Sequence, residues 1–200
     1  MRIFLLSTLF ILASVFTAHS QLTFTAGVKA GAVTSQVGGD GLAGFDKFGL
    51  TGGAHVKMNW NEDWGLQMGL LFVQKGSRQI PDNEKGIFEY ALKFNYLEIP
   101  ITLQRDLGNF SLGGGAYAGV LISANEIRAG AEADISEAYE KQDIGVLLDG
   151  TFHLSETVFI NGRVTQSILP VLPAPEGSVD PFYRSGQYHT AVQLMLGLSL

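Results

Sequence analysis

Acids and bases recur on one parity of this chain: Lys29, His55, Lys57, Gln67, Glu98, Thr102, Asp149, His153, Arg163 and Gln193 occupy the polar positions of alternating segments. Carboxylates that share a face with lysine and arginine can do acid–base work, hold an ion, or neutralise one another where water is scarce. The natural proton carriers are His55, His153 and His189, since His19 lies in the N-terminal leader. Their places in the segments set His153 near one end, His189 near the other and His55 between them. Rings at three heights cannot converge on a serine or an aspartate, so the chain is read as a non-enzyme with no catalytic residues. Cys is zero, which removes thiolate metal sites and cysteine nucleophiles. No cofactor and no metal site are expected. The run GGGAYAG, Gly113 to Gly119, lies within an alternating segment, where glycine thins a sheet and does not cradle phosphate. Glu132, Asp134 and Glu137 belong to an acidic stretch read as a solvated surface loop, with room for a short helix, in preference to a weak calcium site.

Eight segments of period two would position these groups. They lie near Leu22 to Ser35, Phe48 to Asn59, Trp64 to Arg78, Phe88 to Gln104, Phe110 to Ser123, Asp143 to Leu154, Val158 to Ser167 and Gln187 to Leu200. In the last, Tyr188, Thr190, Val192, Leu194, Leu196 and Leu198 share one face, while His189, Ala191, Gln193, Met195, Gly197 and Ser199 share the other. Such a run is long enough to cross a bilayer as a tilted strand. The connections alternate. NWNED, RDLGN and SET are short, whereas the stretches near 36–47, 79–87, 124–142 and 168–186 are long. Short turns on one side and long loops on the other are the asymmetry of an up-and-down membrane barrel. Phe24, Trp60, Trp64, Phe110 and Phe152 fall on the outer parity near the short turns, where an interfacial aromatic girdle belongs. The fold expected is all-β: an eight-stranded antiparallel up-and-down transmembrane β-barrel with short periplasmic turns and long extracellular loops.

The first twenty residues read as a secretory signal, with Arg2, an apolar run from Ile3 to Phe16 and Ala18-His19-Ser20 before the cut, leaving 21–200 as one barrel domain. Removing Arg2 from 13 basic residues against 19 acidic ones gives a formal charge of −7, which offers no basic stripe to a nucleic acid. Outside the leader no apolar run approaches a helical span.

The same residues resemble the PorT-like small outer-membrane barrels of Bacteroidetes. The resemblance rests on Gln21, Gly27-x-Lys29-x-Gly31, Gly39-Asp40, Gln74-Lys75-Gly76, Tyr96-Leu97-Glu98-Ile99-Pro100-Ile101, Gly115-Ala116-Tyr117 and Asp143-x-Gly145. The chain departs from that pattern at Gly69, where the family often has glutamate, at Ala116, where it has proline, and at Leu200, where it has an aromatic residue. The resemblance implies a Gram-negative outer membrane with both termini periplasmic.

In such a barrel the polar parity faces a lumen only wide enough for side chains, so its charges must pair. Glu98 and Asp149 are expected to accept from Lys29, Lys57 and Arg163 in one plug. Pro100, which cannot donate to the ladder, is expected to cause a bulge or local break. The loop holding Leu169, Val171, Leu172, Phe182 and Tyr183 among four prolines is expected to fold over the mouth as a lid. The function expected is structural or interactive: a monomeric barrel in outer-membrane lipid that meets envelope proteins through loops 124–142 and 168–186. A component of a secretion or surface-assembly apparatus is the alternative that the resemblance suggests. A membrane-embedded enzyme or lipid-handling barrel, and a soluble ligand-carrying barrel, are more distant ones.

Overall fold

The computed structural model describes residues 22–42, 44–82, 84, 86, 88–173 and 186–200. The expected signal falls outside them. The strands are β1 (Thr23–Gly38), β2 (Lys47–Asn59), β3 (Trp64–Gln79), β4 (Tyr90–Leu107), β5 (Phe110–Arg128), a short β6 (Ala131–Asp134), β7 (Gln142–His153), β8 (Val158–Ser167) and β9 (Tyr188–Ser199). Each barrel strand pairs antiparallel with its neighbours in the order β4-β3-β2-β1-β9-β8-β7-β5, and β4 pairs with β5 to close the ring. β6 adds to β5 beyond the ring and is exposed along its whole length. Closure leaves the barrel wall without an edge, the condition for a sheet in lipid.

Alternation follows from what each face meets. On β4, Leu97, Ile99, Ile101 and Leu103 are 41% to 46% exposed, while Glu98, Thr102 and Gln104 are buried. Leu148, Leu194 and Leu196 likewise point out from β7 and β9. Leucine facing outward on every side and charge facing inward is the inverse of a water-soluble barrel, and it suits lipid outside. Among the described residues no helix is long and apolar enough to cross a membrane, a test that leaves barrels untouched.

The short turns are chemically specified. Asn61 Oδ1 accepts from the backbone N–H groups of Asp63 (3.0 Å) and Trp64 (2.7 Å), and Ser155 Oγ accepts from that of Val158 (3.0 Å). Gly108 takes φ 69° to close the tight β4–β5 turn. Inside, glycine makes room. A Cβ at Gly113 would stand 2.6 Å from Asp149 Oδ1, and one at Gly197 would strike the ring of Phe159, its partner across the β8–β9 ladder.

Of the bulge or local break expected at Pro100, the wall shows the break. The β3–β4 ladder runs from Met68↔Ile101 to Leu71↔Glu98 without a change of register, and the two pairs between them are missing. Pro100 therefore opens a gap but makes no bulge. Gly69 accommodates the ring, since a Cβ there would meet Pro100 Cγ at 3.3 Å. The bulge lies between β4 and β5, where Asn95↔Ser123 follows Tyr96↔Leu121 and leaves Ile122 over. Beyond it the inward parity of β5 switches from Leu121 to Ala124.

Candidate functional site

The lumen is filled in layers. At the short-turn end Lys57 Nζ reaches both oxygens of Asp106 (2.6 and 2.7 Å), and Ser111 Oγ donates to Asp106 Oδ1 (2.6 Å). Above it Arg163 Nη2 donates to Asp149 Oδ2 (2.7 Å), and Gln104 Nε2 lies 3.4 Å from both Asp149 Oδ1 and Gln67 Oε1. Lys29 Nζ donates to Asn161 Oδ1 (3.1 Å), whose amide donates to Thr151 (2.8 Å). Val33, Leu71, Val73 and Ala191 form an apolar layer next, with Gln193 beside Thr51 (3.4 Å).

Lys75 is the centre of the next layer. Its Nζ stands 2.5 Å from Glu98 Oε1 and 2.9 Å from Asp143 Oδ2, with the lysine side chain wholly buried. The ammonium also lies over the Tyr117 ring, 4.4 Å from its centroid. Ser167 Oγ donates to Asp143 Oδ1 (2.6 Å), and Tyr117 OH approaches the same carboxylate at 3.2 Å. Tyr96 OH and His189 Nε2 are 3.2 Å apart above it. Val37, Leu92, Phe94, Leu121 and Ala124 then close the long-loop end.

Tyr139, outside the wall strands, stacks edge-on against Phe94 at 4.8 Å. Burial, with Tyr90 and Glu126 adding, pushes its hydroxyl up to about 12. Its OH donates to Gln187 (3.1 Å), beside a two-residue bridge between Leu172 and Gln187. Val171 is fully buried there. The greater part of the expected lid, residues 174–185, lies outside the described residues.

The single plug of Lys29, Lys57, Glu98, Asp149 and Arg163 thus divides into separate clusters. Asp149 takes Arg163, Lys57 takes Asp106, and Glu98 takes Lys75. Among the described lumen residues, Lys29, Lys57, Lys75 and Arg163 balance Glu98, Asp106, Asp143 and Asp149, so the interior is formally neutral. Lys75, Asp143 and Asp106 were absent from the expected set. The signal for the first two was present, because Lys75 shares the parity of Gln67 and Asp143 that of Asp149. Asp106 was assigned to a turn, but β4 continues through Leu107.

The histidines do not lie at three heights. His55 and His153 flank the same Phe159 ring near the short turns, at 5.5 and 6.0 Å, while His189 sits at the far end. In the acidic loop Glu132 lies 3.6 Å from Lys93, Glu137 pairs with Lys141 (3.0 Å), and Asp134 accepts from the Ser136 N–H (2.8 Å) at a 3-10 turn, Ser136–Ala138. No metal-binding cluster occurs among the described residues. Of the aromatic set, Phe24, Phe110 and Phe152 are exposed on the outer wall. Trp60 and Trp64 are half-buried, Trp64 under the Arg105 guanidinium at 5.7 Å.

A closed ring of antiparallel strands, apolar outside and ionic inside, defines a small transmembrane β-barrel with a filled lumen. The chain belongs to the outer membrane protein beta-barrel domain family, whose model matches residues 14–172. Solved structures agree in fold. Ail, the attachment invasion locus protein of Yersinia pestis, crystallised in complex with the heparin analogue sucrose octasulfate, is 16% identical with a TM-score of 0.51, over 88% of this chain and 99% of Ail. Neisserial surface protein A is 10% identical with a TM-score of 0.51, over 88% of this chain and 97% of that one. No curated protein matches the sequence. The protein is a small outer-membrane β-barrel.

Proposed function

We propose that this barrel is a closed anchor that acts through its surfaces, a structural or interaction protein and neither a pore nor an enzyme. The carrying observation is the Lys75–Glu98–Asp143 cluster under the Phe94 layer. Ions paired at 2.5 and 2.9 Å and roofed by apolar side chains fill the cross-section where a solute would pass. In this reading the short turns and both termini face the periplasm, and the long-loop end faces outward. The described parts of loops 124–142 and 168–186 support a partner-facing role there: β6 presents four exposed residues, and Leu169 is 49% exposed. The PorT-like motifs supply the kind of partner, an envelope protein assembly.

Two measurements test the reading. Planar-bilayer recordings of the folded chain are expected to show no large steady conductance, and a reproducible open level would refute the closed lumen. In-cell crosslinking from residues 132 and 169 is expected to capture envelope proteins. Capture of lipid alone would reduce the protein to an anchor.

A further inference from the structure

The plug does not fill the whole barrel. At the short-turn end a cavity of about 420 Å³ is walled by all eight barrel strands, within the roughly 300–1,000 Å³ range of small-molecule pockets. It is blind, because the Arg163–Asp149 layer and the plug lie above it. Its groups are arranged as more than a wet opening. His55 is 7% exposed, lines the cavity, and its Nδ1 has no hydrogen-bond partner. Asn59 Oδ1 is buried and equally unpartnered. Gln67 and Gln104 touch through one amide contact at 3.4 Å, which leaves Gln67 Nε2 and Gln104 Oε1 without a protein partner among the described residues. The His55 and Asn59 atoms are sealed by their neighbours, so the groups left for a ligand are the two amides, and a planar amide can hold two neighbouring hydroxyls.

Charge selects among ligands. The one ammonium in the lining, Lys57, is neutralised by both oxygens of Asp106, so the walls present no free cation to an anion. Glu62 and Glu156 stand at the rim with no ionic partner among the described residues, and they repel anions. Deeper, Lys29 is held by an amide oxygen and not by a carboxylate, which opposes a cation entering fully. Phe159, flanked by His55 and His153, supplies an apolar ring surface on one side. We propose that this vestibule binds a small uncharged polyhydroxylated molecule, a sugar or sugar alcohol. The site lies at the opposite end from the surface proposed above, and binding in micelles tests it whichever side the turns face.

The experiment uses the full chain folded in a detergent without a sugar headgroup, with folding verified by the heat-dependent gel shift of an intact barrel. N-acetylglucosamine and maltose are the neutral probes, glucose 6-phosphate the anionic one and glucosamine the cationic one, followed by saturation-transfer NMR and calorimetry. A neutral probe is expected to bind with Kd of about 10 mM or tighter, and glucose 6-phosphate about tenfold more weakly. Thr25→Trp, which fills the mouth, and Gln67→Leu, which removes the unpartnered amide donor, are each expected to weaken binding about tenfold while the gel shift persists. The second variant keeps the test alive if the first does not fold. No transfer from either neutral sugar at about 50 mM, equal or tighter binding of a charged probe, or unchanged binding in both variants would overturn the assignment.

Discussion

Removing the ammonium at the heart of the plug should destabilise the barrel more than any other single interior change. In Lys75→Met the chain keeps its bulk but leaves Glu98 and Asp143 facing each other in a wholly buried layer. At an effective dielectric of about 20, each contact is worth roughly 6 kcal/mol of gross attraction at these distances. Desolvation of three ions, several kcal/mol apiece, cancels most of that, so the intact cluster adds little net stability. The loss on breaking it is different, because both carboxylates have already left water. It should be about 3–5 kcal/mol, or two to three and a half decades in the folding equilibrium. Urea unfolding in lipid vesicles, followed by the gel shift of the folded barrel, measures it. The triple variant Lys75→Met, Glu98→Gln, Asp143→Asn should recover most of the loss, since amides remain hydrogen-bonded without charge. An unchanged midpoint for Lys75→Met, or a triple variant no better than the single one, would refute the reasoning.

The outer wall and the loops yield two further expectations. Leu194 is 64% exposed midway along β9, so Leu194→Arg should cost about 2–4 kcal/mol in a bilayer, read as a lower unfolding midpoint in vesicles than in detergent. Asp134 is held below its ordinary value of 3.8 by hydrogen bonds from Ser136, first the side chain and then the backbone N–H. A depressed carboxylate contributes order above its unfolded value and loses it as pH falls through the folded one. Amide protection of Ser136 should therefore be constant from neutral pH down to about 4 and fall below that, and Asp134→Asn should flatten the dependence. Protection that rises with acid would reverse the sign.

Period-two alternation made the outer face readable from sequence, because lipid demands apolar side chains at every outward position of every strand. Leu97, Ile99, Ile101 and Leu103 show it without exception. The inner face was harder, because the lumen is not uniformly polar. Val33, Leu71, Val73, Phe94 and Tyr96 point inward in the half nearer the long loops, so there both parities are apolar and contrast disappears. Lys75 sits among them and reads as the end of a strand, although its parity matches Gln67. The β5 bulge added a second obstacle. It shifts inward positions from odd to even between Leu121 and Ala124, which no single-parity reading can follow. Pairing choice was illegible for a third reason: Asp149 and Glu98 lie on the same parity as several bases, and only strand tilt and register decide which base each meets.

Register also explains why the ion pairs sit where they do. Arg163 and Asp149 are direct partners across the β7–β8 ladder, so their bond follows from strand pairing alone. Lys75, Glu98 and Asp143 come from strands that include no ladder between β3 and β7. Lys75 and Glu98 sit on the neighbouring strands β3 and β4, whereas the 2.9 Å contact of Lys75 with Asp143 on β7 crosses the lumen past β4 and β5, so it forms only once that part of the wall has curved. A slip of β3 by one residue would turn Lys75 towards lipid and strand two carboxylates inside, a penalty larger than the loss of one ladder bond. The cluster therefore opposes misregistered closure more strongly than it stabilises the native barrel.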